Sequence, residues 1–325
     1  MFSVYINELI VELRRSKLGC HIDGVFFGAF LFADDIFLLS GNIGGLQELV
    51  NISSTFGARK NLKFGTDVKP EKSKTKCIAF SKNLREIKNL RNVKLDGKLL
   101  PWVNSVKHLG NILQSDNSMK LDISLKKGQM IGKINSLLQE FHFLDPKTLL
   151  NLIKIYATSL PGSCLWNLLS TDSERVYTSW NVTIRNIFKL DRQTHRVLID
   201  PLSDETHLKT ALMSRFLTFY KSLMSCQKPS IRYLCHVVSR DCHSQMGKIL
   251  LYLCKSCKLE RNNIQSLSQI DIKRKQNYSK DEGENWRIFI ARELLHAKKQ
   301  TNQTLEIPGF NDAEIQTIFD FICTE

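Results

Sequence analysis

Proline is scarce, at 7 of 325 residues, while hydrophobic side chains make up 42% of the chain. Together these exclude a wholly disordered chain and a collagen-like one. Long unbroken apolar runs are absent as well. The longest apolar stretch, 24–39, is interrupted by Asp34 and Asp35, and the run 249–254 is far too short to span a bilayer. No membrane partner is therefore expected. The opening MFSVYINELIVELRR places acids before bases and lacks a small-residue cleavage site, so it does not read as a secretory signal. Gly41, Gly44 and Gly45 are not followed by the Lys-Ser/Thr of a phosphate-cradling loop. There is no internal repeat. Nine cysteines, an odd number in a chain of this length, argue against a disulfide framework. The expected setting is intracellular, nuclear or cytoplasmic, and not secreted.

What the chain does have is positive charge. Its 46 Lys and Arg outweigh 32 Asp and Glu, a net +14. The excess is concentrated: residues 59–98 hold 13 basic and 4 acidic side chains, so 13 − 4 = +9 falls there. A field of that sign favours a polyanion, and nucleic acid is the commonest. A solvated basic surface with no dedicated partner has the same count, and charge alone does not choose between them.

Periodicity gives an α+β class. Apolar positions 6, 9, 10 and 13 predict a helix over 4–15, broken by Gly19. Residues 21–40 read as a hairpin: a β-rich run 25–32, a corner at Ala33-Asp34-Asp35, then 36–39. A helix is predicted over 46–62, a short strand over 76–80, and a small hairpin over 93–100 turning at Asp96-Gly97. Beyond residue 115 the texture changes to mainly helical spacing. Asp145-Pro146 supplies an N-cap and a first-turn proline. Helical stretches follow at 180–190, 207–223, 231–238, 247–260, 286–295 and 312–322, with a polar, loose segment at 261–284. Trp102 and Trp166 read as core residues, with base stacking as the lesser alternative. His195-Arg196 reads as a surface pair that could touch phosphate. Cys226, Cys235, His236, Cys242, His243, Cys254 and Cys257 lie close enough in sequence to raise zinc. Only Cys254-x2-Cys257 has ligand spacing, and in a helix it suits a core face equally, so zinc is not expected.

Two adjacent carboxylates between apolar runs are the chemical feature of the sequence. Burying such a pair costs desolvation and mutual repulsion, which a divalent cation relieves; an ordinary polar hairpin tip avoids both. Mg²⁺ takes a few carboxylates plus water and substrate phosphates. The run Phe32-Ala33-Asp34-Asp35 followed by Ile36-Phe37-Leu38-Leu39-Ser40 resembles the (Y/F)ADD box of reverse transcriptases of LINE-type, non-LTR retrotransposons. Other matches fall in the family's order. Phe2–Leu9 resembles the end of motif B. Gly19-Cys20-His21-Ile22 resembles the lead-in to the catalytic hairpin. Pro70-Glu71-Lys72-Ser73-Lys74-Thr75-Lys76, ending in Ala79-Phe80-Ser81, resembles motif D. Val106-Lys107-His108-Leu109-Gly110 resembles the primer grip, motif E. Trp180-Asn181, Arg185, Ile187-Phe188, Thr194-His195-Arg196 and Arg215-Phe216 resemble the family's thumb and following region, and 307–324 resembles its C-terminus.

The resemblance implies an RNA-directed DNA polymerase, a nucleotidyltransferase in which a primer 3′-hydroxyl attacks a nucleotide α-phosphate with the help of two Mg²⁺ ions. Asp34 would be the direct metal ligand and Asp35 its supporting partner. Lys72 or Lys74 would be the motif D lysine, with Lys76 beside them on nucleic acid. His108, Leu109 and Gly110 would lie along the primer. RNA and DNA, as template and primer, are the implied partners. The implied architecture is an incomplete polymerase palm, an antiparallel sheet with helices, over 1–115. A helical thumb would occupy 116–200 and a C-terminal helical region 201–325. Departures accompany it: the motif A Asp, the Gln-Gly part of motif B and the fingers have no counterpart in these residues. The chain is then an enzyme only if complemented. The alternative is a non-catalytic nucleic-acid-binding protein that uses the basic 59–98 face.

Overall fold

The computed structural model describes residues 2–67, 72–81, 90–192 and 207–257. It is a mixed structure of helices and small antiparallel sheets, divided into two compact units, 1–121 and 122–325. The boundary lies close to the change of texture after residue 115. The sequence boundary near residue 200 falls outside the described residues, as do His195-Arg196 and everything beyond residue 257.

The first unit opens with α1 (Phe2–Arg15). Ile6, Leu9 and Leu13 recur at helical spacing and are buried. Two hairpins follow, β1 (His21–Ile22) with β2 (Val25–Phe26), and β3 (Ala29–Phe32) with β4 (Asp35–Leu38). The sequence suggested one hairpin across 21–40. Asp23-Gly24 instead turns the chain once before Ala33-Asp34 turns it again, since both Asp23 and Gly24 have left-handed φ, the form a two-residue hairpin tip requires. The two ribbons are tied where Cys20 N–H donates to the Leu39 carbonyl and Phe27 N–H to the Cys20 carbonyl. Gly19 sits here with φ +88; a Cβ on it would lie 2.9 Å from the Gly28 Cα, so only glycine allows the backbones this close.

Helix α2 (Ile43–Arg59) is the centre of the unit. The Asn42 side chain caps it by accepting from Gly45 N–H at 2.7 Å. Leu49 and Phe56 pack with Leu9 and Leu13, joined by Ala29, Ile36 and Leu38 from the second ribbon. Val50, one position on, turns toward a separate cluster with Cys77, Val93, Leu95 and Leu100. Those last residues flank or form the hairpin β5 (Lys94–Leu95) with β6 (Lys98–Leu99), turning at Asp96-Gly97 as the sequence predicts. The Gln47 side chain accepts from Lys94 N–H and donates to the Lys94 carbonyl, each at 2.8 Å. Glu12 with Arg59 (2.6 Å) and Glu8 with Lys60 (2.8 Å) close the α1–α2 seam at the surface.

The strand predicted over 76–80 is not formed. Cys77 alone makes a parallel bridge to Trp102, its N–H donating to Pro101 and its carbonyl accepting from Val103. One residue satisfied on both sides is enough to seat Cys77 in the core without a ladder. Trp102 is half-buried on that cluster and donates its indole N–H to the Arg91 carbonyl. The unit ends with the hairpin β7 (Ser105–His108) and β8 (Asn111–Gln114). Among the described residues the eight strands pair two by two, in four ribbons, and do not join into one sheet.

The described residues of the second unit form helices: α3 (Lys120–Glu140, entering across the boundary), α4 (Pro146–Ala157), a 3₁₀ turn (Ser163–Leu165), α5 (Thr171–Ile187), α6 (Leu208–Met224), α7 (Pro229–Arg240) and α8 (Gln245–Ser256). Asp145 caps α4 by accepting from the Lys147 and Thr148 N–H groups, with Pro146 in the first turn. Trp166, Tyr177, Phe188, Phe216, Ile153 and Leu253 are almost fully buried and form the interior. Asp122, with no exposed surface, accepts from Lys126 Nζ at 2.8 Å and from Trp166 Nε1 at 2.7 Å. The Arg215 guanidinium, whose pKa burial lowers, donates to the Thr158 and Ser159 carbonyls at the end of α4. Cys254 and Cys257 share a buried face. No helix among the described residues is long and apolar enough to cross a membrane.

Candidate nucleic-acid interface

The FADD segment forms a hairpin in regular register: Ala29 opposes Leu38, Phe30 Phe37, Leu31 Ile36 and Phe32 Asp35, with Ala33-Asp34 as the two-residue tip. Ala33 has φ +51, which glycine carries more cheaply; the other three hairpins each place glycine second in the tip. Asp34 and Asp35 are both exposed. Water therefore solvates them, and the desolvation cost of a buried pair does not arise.

Directly opposed residues share a face of a ribbon. Ala29, Ile36 and Leu38 turn toward α1 and α2. Phe30, Phe32, Asp35 and Phe37 are thereby on the opposite face, where Phe32 remains 63% exposed and Phe30 43%. Phe37 is covered from one side by His108, the rings stacked 5.5 Å apart at 28°. Phe30 adjoins Phe37 at 6.5 Å. The hairpin carrying Asp34 and Asp35 and the hairpin carrying His108, Leu109 and Gly110 thus meet side by side. Leu109 and Gly110 both have left-handed φ and make the tip of the second hairpin, with Leu109 exposed.

Lys72 and Lys74 are exposed and Lys76 is half-buried. Their segment is anchored by Ser73, which is buried, donates to the Thr75 carbonyl at 2.7 Å and accepts from Asp67 N–H. The stem of Lys74 lies over Gly65, where a Cβ would come 3.1 Å from its Cδ. Among the described residues no hydrogen bond or ion pair joins these lysines to Asp34 or Asp35.

The basic stretch is reduced at its start, because Arg59 and Lys60 are held by Glu12 and Glu8. The neighbouring carboxylates raise the Arg59 pKa, and Lys60 lowers that of Glu8. Lys63, Lys72, Lys74 and Lys98, all exposed, have no carboxylate partner among the described residues. Arg91 and Lys94 are exposed in the same way, also without a carboxylate partner among the described residues.

Two exposed carboxylates at one tip suit a single hydrated Mg²⁺, which keeps several waters and uses one or two carboxylates. They do not by themselves enclose two ions. Among the described residues no group of three His, Cys, Asp or Glu side chains gathers to hold a metal.

Sequence signals pointed to His108 but not to its partner Phe37, and did not single out Phe30. The alternation in Ala29–Phe32 and Asp35–Leu38, aromatic at 30, 32 and 37, was the available signal.

Because the tip is solvated, Asp34→Asn is expected to change stability by less than about 0.5 kcal/mol. Urea melts of both forms, with and without millimolar Mg²⁺, measure this. A large loss in the variant, or strong Mg²⁺ stabilisation of the parent alone, would mean that Asp34 is part of an assembled metal site.

No protein-family model matches this chain, and no curated protein matches it.

Proposed function

We propose that the chain is the C-terminal part of a reverse transcriptase of the non-LTR retrotransposon type. It would comprise an incomplete palm over 1–115, a helical thumb over 116–200 and a helical region over 201–325. By itself it would bind nucleic acid without extending a primer. The observation that carries this reading is the Phe37–His108 stack, which sets the FADD hairpin against the His108-Leu109-Gly110 hairpin. A polymerase needs those two segments adjacent: one holds metal-bound phosphate, the other the primer end. Their order in the sequence and the exposure of both tips agree with it. RNA and DNA are the partners, and Mg²⁺ at Asp34 and Asp35 would supply Lewis-acid stabilisation of the phosphate oxygens.

In this reading the chain alone incorporates no nucleotide on an RNA template with a DNA primer and Mg²⁺. The two Asp carboxylates come from one hairpin, and the residues matching motif A and the fingers are not in the 325. Primer-extension gels measure it. Template-dependent incorporation that disappears in Asp34→Ala would overturn the claim of incompleteness. Genomic sequence upstream of the Met1 codon, in frame and carrying a motif A Asp, would support descent from a full polymerase.

The second reading, a non-catalytic nucleic-acid-binding protein, is favoured by one observation. Lys63, Lys72, Lys74 and Lys98 are exposed and unmatched by carboxylates among the described residues. Electrostatic affinity for phosphate needs nothing further.

A further inference from the structure

We propose that the outer face of the β3–β4 ribbon is a stacking platform for the bases of single-stranded nucleic acid, with Phe30 and Phe32 as its open rings. The proposal deepens the nucleic-acid reading above and rests on it. Four rings lie along this surface. Phe32 and Phe30 alternate on β3, Phe37 is beside Phe30, and His108 stacks on Phe37. Alternate residues of a strand are about 6.6 Å apart, which presents successive rings to one side of the ribbon. Phe30 and Phe32 are 43% and 63% exposed although the opposite face of the same ribbon is packed on two helices. The interior therefore has room for apolar side chains from this ribbon, yet two of its three phenylalanines face water.

An exposed apolar face takes a partner, and charge selects which. Residues 1–121 hold 18 Lys and Arg against 11 Asp and Glu, so 18 − 11 = +7. A polyanion whose monomers carry flat π-faces matches both features. Asp35 shares the aromatic face and repels phosphate, which favours a strand bound with its bases toward the rings and its backbone away from that carboxylate. Duplex DNA or RNA hides its base faces in the stack and cannot use such a platform.

The test compares two fluorescently labelled oligonucleotides of equal length, oligothymidylate and a fully abasic strand, by anisotropy on the full chain. The parent should bind oligothymidylate at least about fivefold more tightly than the abasic strand, the low end of one stacked base. Phe30→Leu with Phe32→Leu should bring both strands to the abasic affinity without altering the salt dependence. Equal affinity for the two strands in the parent overturns the platform and leaves the electrostatic reading standing. Binding of neither strand removes the nucleic-acid reading and the platform with it. A parent that sediments as a dimer, and a leucine variant that returns to monomer, would assign the face to a second copy and also overturn the proposal. Circular dichroism checks the variant's fold; if it fails, the two-strand comparison on the parent alone decides.

Discussion

Asp122→Ala is expected to cost the helical unit about 3–5 kcal/mol, the scale of breaking a buried ion pair from one side. Asp122 has no exposed surface, Lys126 is 4% exposed and Trp166 is fully buried. One carboxylate oxygen serves both the ammonium and the indole N–H. Removing it takes the carboxylate away from a buried ammonium and a buried indole donor, in an interior that solvates both poorly. Domains are commonly stable by only about 5–15 kcal/mol, so a loss of this size leaves little. Asp122→Asn keeps an acceptor for Trp166 but not the charge, and should lose less. Urea unfolding followed by tryptophan fluorescence measures both. A cost under about 1 kcal/mol for Asp122→Ala would mean that the pair is solvated in solution.

Replacing Lys72, Lys74 and Lys76 together with Glu is expected to weaken nucleic-acid binding on the order of tenfold to a hundredfold at low salt. It should also flatten the slope of log affinity against log salt by up to roughly 2.1, about 0.7 for each phosphate of a single strand no longer neutralised. Lys72 and Lys74 are exposed, whereas Lys76 is half-buried, so its share should be the smallest. Titrations of a labelled RNA at several salt concentrations give both numbers. Charge reversal at Arg59 and Lys60 is the contrast. Those cations already serve Glu12 and Glu8, and their loss should register mainly in stability. Affinity that is independent of salt, or unmoved by the triple change, would remove the electrostatic account.

Much of the local structure was legible because local chemistry decides it. Asp145-Pro146 marks a helix start wherever it occurs next to helical spacing, and Asp96-Gly97 marks a hairpin tip. The alternation around Asp34 and Asp35 gave the second ribbon and its turn. Asp23-Gly24 carried the same turn signal as Asp96-Gly97, but the apolar run after it masked the break between two ribbons. The short strand expected at 76–80 failed for a different reason. Cys77 is held by the carbonyl of Pro101 and the N–H of Val103, partners whose position no local pattern announces. The candidate site divides in the same way. The exposed tip of Asp34 and Asp35 follows from its own residues. The Phe37–His108 stack joins segments far apart in sequence, and neither a phenylalanine on a strand nor a histidine near a turn signals the other. The buried Asp122–Lys126 pair was equally silent, since Asp and Lys four apart on a helix are far more often a solvated surface pair.

The Gln47 side chain, bonded to both backbone groups of Lys94, occupies the place a neighbouring strand would take. Helix α2 thus dictates where the β5–β6 hairpin sits, across a separation of 47 positions. Apart from the buried Ser73 and Cys77, what joins them need only be long enough, and doubling a loop costs about 0.6 kcal/mol in closure entropy. Insertions and deletions among natural variants should therefore collect in that connection, while Gln47 and the hairpin it grips vary as a single inherited unit.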